Sequence, residues 1–222
     1  MEMERAIKEL GGVIYTALRD DDLSADPARR GEGLGPRPGD VIELACLLEE
    51  IGRSSPAVRE LLERPTAELT PEDVARLGRR LLQEINYQPS FDDEPGLWAT
   101  LAQALLVVER DVRATGISGP LRLTVPDWDI GGHARVEFRN AFQGNGIPPG
   151  VGADDLDALV SVADATQEVV MEMIWAAWPT CPEHRLGLYA GSERGTAIWR
   201  CGGTGTGMHT VAPVGRLTIE HR

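Results

Sequence analysis

The first 114 residues repeat apolar side chains at spacings of three and four, which is the period of amphipathic helices. Proline, glycine and aspartate interrupt the pattern, so it predicts several short helices rather than one long helix. The predicted helices are 3–18, 41–52, a short helix after Ser55-Pro56, 71–85 and 96–114. The N-terminal half of the chain is therefore expected to be a small helical bundle.

Local signals refine these helices. Thr70 and Pro71 are typical of a helix start, since threonine caps free N–H groups and proline suits the first helical position. Asp40 is the predicted N-cap of the second helix, and Cys46 within that apolar run is predicted to be a small core residue. The Gly11-Gly12 pair is expected to weaken the first helix, because each interior glycine costs about 1 kcal/mol.

After residue 114 the period changes to two. Residues 121–125 and 134–138 alternate apolar and polar side chains, so they are predicted to be strands that pair as a hairpin with a long connection. A long helix over 153–177 and two short strands, around 186–188 and 197–199, are predicted to follow. We therefore expect an α+β fold, in which the C-terminal half contains a β-hairpin, a long helix and a small ribbon-like β module.

Two breaks organise the chain. Residues 19–39 are rich in Asp, Pro, Gly and Arg and are predicted to be a loop too polar to bury itself. Around Pro89 and Pro95 lies a second break, whose acidic run Asp92–Glu94 is predicted to be a solvated helix entry rather than a cation site. The second break divides the chain into a helical bundle domain, 1–88, and an α+β domain, 89–222, ending in the ribbon-like module at about 178–217.

Composition limits the partners and the compartment. The formal net charge of the 222 residues is -13, which disfavours nucleic acid and anionic membranes, because both attract basic surfaces. The sequence has no run of about 18 apolar residues, so no transmembrane helix is predicted. The N-terminus lacks the basic and apolar pattern of a signal peptide. Three cysteines do not form a disulfide framework of the secreted type. These features predict a soluble, cytoplasmic protein.

The most specific chemistry is a set of Cys and His residues near the C-terminus. Cys181 and His184 form a Cys-x2-His pair, and Cys201 and His209 form a looser Cys-x7-His pair across a glycine-rich loop. Zinc takes four sulfur or nitrogen ligands tetrahedrally, often as two close pairs, so the four residues are predicted to hold one structural zinc ion. Two alternatives remain open: a site without His209, in which water completes the coordination, and no metal site at all.

A second group of candidates lies in the predicted hairpin connection. Asp127, Asp129, His133 and Glu137 have side chains that can ligate a metal or transfer protons. Aspartates that follow Pro126 are also typical of a turn, where they accept backbone hydrogen bonds, and this interpretation is preferred. A third acidic set, Asp164, Glu168 and Glu172 on the long helix, is predicted to be a solvated outer face.

Three segments carry a family resemblance: Trp178–His184, Ala197–Cys201 and Val211–Leu217. They resemble a C-terminal module of many uncharacterised actinobacterial proteins, in which a helix leads into Trp-Pro-x-Cys-Pro-x-His, then Trp-x-Cys, and ends near Gly-x-Leu. The resemblance covers roughly residues 155–217. The basic residues fit such a source, since of 22 only Lys8 is lysine. The resemblance implies a small metal-binding or ribbon-like module and implies no activity.

The sequence therefore favours a non-enzymatic interaction or regulatory protein, in which zinc is structural and the helical half binds a protein partner or self-associates. A metal-dependent hydrolase is the alternative, with its site at Cys181, His184 and Cys201 or around Asp129 and His133. A second alternative is a small-ligand sensor that binds its ligand among the N-terminal helices.

Overall fold

The computed structural model of the chain describes residues 2–23, 35–203 and 207–218. Within these ranges it confirms the α+β class, with six α-helices and two small antiparallel three-stranded sheets, both in the C-terminal half. The chain divides into two compact units, Met1–Glu94 and Pro95–Arg222, whereas the sequence placed the boundary after residue 88. None of the described helices has the length and apolarity needed to cross a bilayer.

The described part of the N-terminal unit has four α-helices: α1 (Glu2–Asp22), α2 (Pro38–Glu50), α3 (Pro56–Glu63) and α4 (Pro71–Glu84). The predicted loop over 19–39 is partly wrong, because α1 continues to Asp22 and α2 begins at Pro38; its residues 24–34 lie outside the described ranges. The four helices share one apolar core, which includes Ile14, Val41, Leu44, Leu48, Val58, Leu61, Val74, Leu77 and Leu81.

Helix starts follow the local signals in two cases and not in a third. Thr70 caps α4 in a reciprocal capping box with Asp73, as predicted, and Ser55 accepts a hydrogen bond from the Val58 N–H. The predicted N-cap Asp40 is wrong, since α2 begins at Pro38 and Asp40 lies in its first turn. A carboxylate is favoured there by the positive end of the helix dipole.

Cys46 is exposed on α2, so the prediction that it belongs to the core is wrong. The run around it is apolar on almost every side, and such a run does not reveal which face will pack. The buried residues of α2 are Val41, Leu44, Ala45 and Leu48, at helical spacings that leave position 46 on the outer face.

The Gly11-Gly12 pair allows close packing against α1. A Cβ atom on Gly11 would lie 2.6 Å from the Tyr87 ring, and one on Gly12 would lie 2.8 Å from the Asp93 carboxylate. The Tyr87 hydroxyl donates to Asp93 at 2.6 Å, and Ser90 donates to the same carboxylate. The acidic run is therefore not wholly solvated as predicted, since Asp93 is half-buried and its carbonyl accepts a hydrogen bond from Arg19 of α1.

The C-terminal unit begins with α5 (Pro95–Ala114) and a first sheet. Strands β1 (Leu121–Thr124) and β2 (Arg135–Phe138) pair antiparallel, which confirms the predicted hairpin. A two-residue turn with positive φ at both positions then leads to β3 (Ala141–Phe142), a strand too short to predict from alternation.

The second sheet follows the long helix α6 (Asp155–Ile174), which ends three residues before its predicted end because Trp175 adopts a left-handed conformation. Strands β4 (Leu188–Glu193), β5 (Thr196–Cys201) and β6 (His209–Pro213) pair antiparallel in chain order. The sequence predicted parts of β4 and β5 but not β6.

A polar side chain of α5, Asp111, holds the second sheet and the segment after it against that helix. The fully buried Asp111 carboxylate accepts hydrogen bonds from the Trp199 indole at 2.6 Å, the Gly215 N–H at 2.6 Å and the Leu217 N–H at 2.8 Å. A Cβ atom on Gly215 would lie 2.4 Å from Val107, and its φ of 84° also favours glycine. The Trp-x-Cys and Gly-x-Leu segments therefore meet at one carboxylate.

Two more polar side chains, Thr115 and Gln167, hold the segment that enters the sheet. Thr115, directly after α5, accepts a hydrogen bond from the Trp178 indole at 2.8 Å. Gln167 on α6 is buried and donates to the backbone carbonyls of Trp178 and Leu188. Because Leu188 is the cross-strand partner of Cys201, these contacts position the residues on both sides of the candidate metal ligands.

Candidate metal centre

Cys181 and His184 lie in a tight turn between α6 and β4. The Cys181 carbonyl accepts a hydrogen bond from the Arg185 N–H at 2.9 Å, and the Cys181 N–H donates to Leu186 at 2.8 Å. Arg185 has a φ of 58°, which reverses the chain directly after His184. This turn places both side chains of the Cys-x2-His pair on the same side of the chain.

Cys201 and His209 are directly opposite each other at the loop end of the β5–β6 hairpin. The chain between them approaches itself closely at Gly203, where a Cβ atom would lie 2.2 Å from the Gly207 carbonyl carbon. Only glycine permits that approach, and its φ of 50° also favours glycine. The loose Cys-x7-His spacing is therefore a cross-strand pair joined by a glycine-dependent loop.

The two pairs converge on one point. The Cys181 Sγ atom lies 3.6 Å from His184 Nδ1 and 3.6 Å from His209 Nε2, and Cys201 Sγ lies 3.5 Å from His184 Nδ1. All four ligand atoms lie within 4.8 Å of one another, so the group could hold a metal ion. Since His209 lies with the other three residues, the group offers four ligand atoms rather than three.

Backbone groups orient the ligand atoms. The His184 N–H points at the Cys181 sulfur at 3.5 Å, and the Gly207 carbonyl lies 2.9 Å from His209 Nδ1. A carbonyl only accepts, so this contact places the imidazole proton on Nδ1 and leaves the Nε2 lone pair facing the cluster. The orientation of His209 therefore suits a metal ligand.

The two thiols differ in acidity. Burial raises the pKa of Cys181, but the N–H groups of His184 and Glu183 outweigh it and lower that pKa to about 7. Burial dominates at Cys201, whose pKa is raised. One thiolate therefore forms readily near neutral pH, and a bound cation would favour the second, because metals bind thiolates and release their protons.

The Asp127–Glu137 region has a different arrangement. The Asp129 carboxylate accepts hydrogen bonds from Arg135 at 3.0 Å and lies 3.2 Å from His133 Nδ1. The backbone N–H of Asp129 donates to the Pro126 carbonyl at 2.9 Å, which confirms the preferred turn interpretation. Among the Cys, His, Asp and Glu residues that the structure describes, only the Cys181 group brings three or more ligand atoms together.

The acidic set on α6 does not form a metal group within the described residues. Asp164 and Glu172 are exposed, as predicted, but Glu168 is half-buried. Burial, and then the neighbouring Asp164 charge, raise the pKa of Glu168. A Cβ atom on Gly144 would lie 1.4 Å from the Glu168 carboxylate, so this side chain packs closely beneath the loop after β3.

The sequence interpretation missed Asp111 and Gln167, which hold the segments that carry the ligands. Both residues carried a usable signal. Asp111 falls on the apolar face of α5, between Val108 and Val112, and Gln167 falls on the buried face of α6 beside Val170. A polar residue at a core position indicates a buried hydrogen-bonding partner, although its identity requires the fold.

Comparison of the chain with protein-family models, curated proteins and solved structures finds no match.

Proposed function

We propose that the chain is a non-catalytic interaction or regulatory protein, whose C-terminal module is held together by one structural zinc ion. The ligands are Cys181, His184, Cys201 and His209. The observation that carries the proposal is the convergence of these four side chains from two separate turns of the chain.

The ligand spacing supports zinc. Zinc–sulfur bonds of about 2.3 Å and zinc–nitrogen bonds of about 2.0–2.1 Å at tetrahedral angles place sulfur and nitrogen about 3.6 Å apart. The three sulfur–nitrogen distances in the cluster are 3.5, 3.6 and 3.6 Å. Thiolate and imidazole donors also suit zinc better than calcium or magnesium, which select oxygen ligands.

Four protein ligands complete a tetrahedral shell and leave no position for a reactive water, which is the arrangement of structural zinc sites. The cross-link would join the turn after α6 to the β5–β6 hairpin, two segments that are separated by sixteen residues of chain. Such an ion contributes its binding free energy to folding, because the unfolded chain has no preformed site.

The helical unit is our proposed surface for a protein partner or for self-association. Val13, Leu23 and Ile51 are exposed large apolar residues in this unit, a type of residue that contributes to protein interfaces. The formal net charge of -13 supports a protein partner over nucleic acid and supports a cytoplasmic location over an anionic membrane surface. The relationship to the actinobacterial module stays a prediction.

The test is the metal content of protein purified without chelator, measured by elemental and native mass spectrometry. We expect about one zinc ion per chain, and its loss in Cys201→Ser and His209→Ala, because each variant removes a ligand that is buried or held by the backbone. Cys46→Ser is the matched control and should keep the metal, since this exposed cysteine is remote in sequence from the cluster. A wild-type protein without zinc would contradict the proposal.

The hydrolase alternative has one supporting observation, the His133 imidazole held at 3.2 Å by Asp129 and still 37% exposed. A carboxylate in this position fixes the tautomer of a histidine that transfers protons. We rank it second, because Asp129 is already an acceptor for Arg135 and for the turn itself. The ligand-sensor alternative stays a prediction.

A further inference from the structure

The four candidate ligands are not held equally. Cys181 and Cys201 are 1% and 0% exposed, and half-buried His209 is held by the Gly207 carbonyl. His184 is the exposed member of the group. Its described ring contacts are with Cys181, Cys201 and His209, which are the other ligands.

The backbone also holds His184 less firmly than the other three candidate ligands. Cys201 and His209 are paired across two strands, and Cys181 is fixed through both its N–H and its carbonyl. His184 belongs to an exposed turn, residues 182–186. Rotation about its Cα–Cβ bond would withdraw the ring and leave every backbone hydrogen bond of the turn in place.

Withdrawal of His184 would leave two thiolates and one imidazole on the metal. This is the ligand set of a zinc site with one open position, to which an external group can bind. Thiolate is a strong competitor for that position, because zinc favours soft sulfur donors. Arg185 and Glu183, which flank His184 with opposite charges, are both exposed, so the local charge is balanced.

We propose that His184 is the exchangeable ligand of this centre and that a small thiol replaces it on the metal. The inference rests on the proposed zinc site. In the exchange the bond from the metal to His184 Nδ1 breaks, a metal–sulfur bond forms, and the thiol proton passes to solvent. No atom changes oxidation state. The centre would then respond to thiols while Cys181, Cys201 and His209 keep the metal in place.

The test uses the full chain carrying Cys46→Ser, so that the exposed thiol of α2 does not compete, with cobalt(II) in place of zinc. Cobalt reports its geometry and its sulfur ligands through visible and near-ultraviolet absorption. Titration with 2-mercaptoethanol should raise the sulfur-to-cobalt charge-transfer intensity by about one half, because three thiolates replace two, while the tetrahedral bands remain.

Two matched variants locate the exchange. His184→Ala should keep cobalt and bind the thiol at least about tenfold more tightly than the parent, because no imidazole competes. His209→Ala removes an anchored ligand and should bind cobalt much more weakly, without rescue by the thiol. Identical behaviour of the two variants would overturn the assignment of His184.

The parent protein decides the inference even where a variant fails to fold. An unchanged parent spectrum, up to the highest thiol concentration at which cobalt stays bound, would show that His184 does not exchange. Loss of cobalt to the thiol would also overturn the proposal. A parent that never forms a tetrahedral cobalt spectrum would instead contradict the metal centre itself, so the two failures are distinguishable.

Discussion

The helical unit, Met1–Glu94, and the C-terminal module, 178–217, differ in the contacts that stabilise them. Four helices of the unit bury one apolar core, and three of them begin at a proline in the first helical turn. The module also buries apolar side chains, among them Leu188, Ile198 and Trp199, but adds directional contacts, in which Asp111, Thr115 and Gln167 bind its indoles and backbone. It also carries the candidate metal centre.

Because of this difference, the two regions should lose stability in response to different kinds of substitution. A core of many small, non-directional contacts loses stability in proportion to the apolar volume removed, and tolerates substitutions that keep volume. The buried hydrogen bonds of the module are in addition sensitive to changes of charge that preserve volume, because a buried donor without an acceptor is costly. The predictions below apply one kind of change to each region.

Metal removal should have the largest effect and should act on the module. If zinc holds the four ligands, a strong chelator removes a contribution on the order of 10 kcal/mol from the module. Hydrogen exchange measured by mass spectrometry should then show lost protection over 178–217 and retained protection over 71–84. Zinc added back should restore the original pattern. Equal loss of protection in both regions would remove the contrast between them.

Leu77→Ala should be the strongest single change in the helical unit. Leu77 is fully buried, and truncation of such a leucine costs about 2–5 kcal/mol through lost contacts and a cavity. Leu62→Ala is the matched control, since Leu62 is 40% exposed and should cost much less. Urea unfolding followed by circular dichroism measures both, and metal content should stay unchanged. Release of metal by Leu77→Ala would show that the regions are coupled.

Asp111→Asn should destabilise the module without leaving a cavity. The amide keeps the shape of the side chain but loses the charge, and its NH2 group faces either the Leu217 N–H or the N–H groups of Trp199 and Gly215. We expect a cost of about 1.5–3 kcal/mol, the usual value for a hydrogen bond to a charged group. Thermal unfolding and hydrogen exchange over 197–217 measure it, with exposed Asp164→Asn as control. Similar values for both variants would argue against the carboxylate contacts.

Thr70→Ala should have the smallest effect, about 1 kcal/mol, because it removes one helix cap. Exposed Thr66→Ala is the control. Hydrogen bonds from Arg76 and Thr70 lower the pKa of the capping partner Asp73 to about 2, below its usual 3.8. The stabilisation by Asp73 is therefore complete above pH 4 and is lost as the pH falls towards 2. Urea midpoints between pH 2 and 7 should show the cost of Thr70→Ala shrinking at low pH.

The predictions made from sequence succeeded where the signal was local. Thr70 and Pro71 mark a helix start because capping involves residues three positions apart, and the hairpin of β1 and β2 follows from alternation. The predictions failed where several faces of one helix were similarly apolar. Cys46 lies in a run that is apolar on nearly every side, so only the packing of α2 decided that this residue is exposed.

For the candidate site, residue types and spacing were sufficient to select the four candidate ligands, since the chain has only three cysteines and four histidines. They did not predict the β5–β6 pairing that places Cys201 opposite His209, because residues 209–213 do not alternate apolar and polar side chains. Nor did they predict that His184 would be exposed while the other ligands are buried or anchored.

The sequence by itself therefore determined the helices, the first hairpin, the α+β class and the identity of the candidate ligands. Only the tertiary structure decided which carboxylate would anchor the module. Asp111 meets Trp199, Gly215 and Leu217 across 88 to 106 residues of chain. Local patterns report which residues suit a helix, a strand or a metal, because those preferences act over a few residues. Contacts between distant segments depend on how whole elements pack, and that choice is made only when the chain folds.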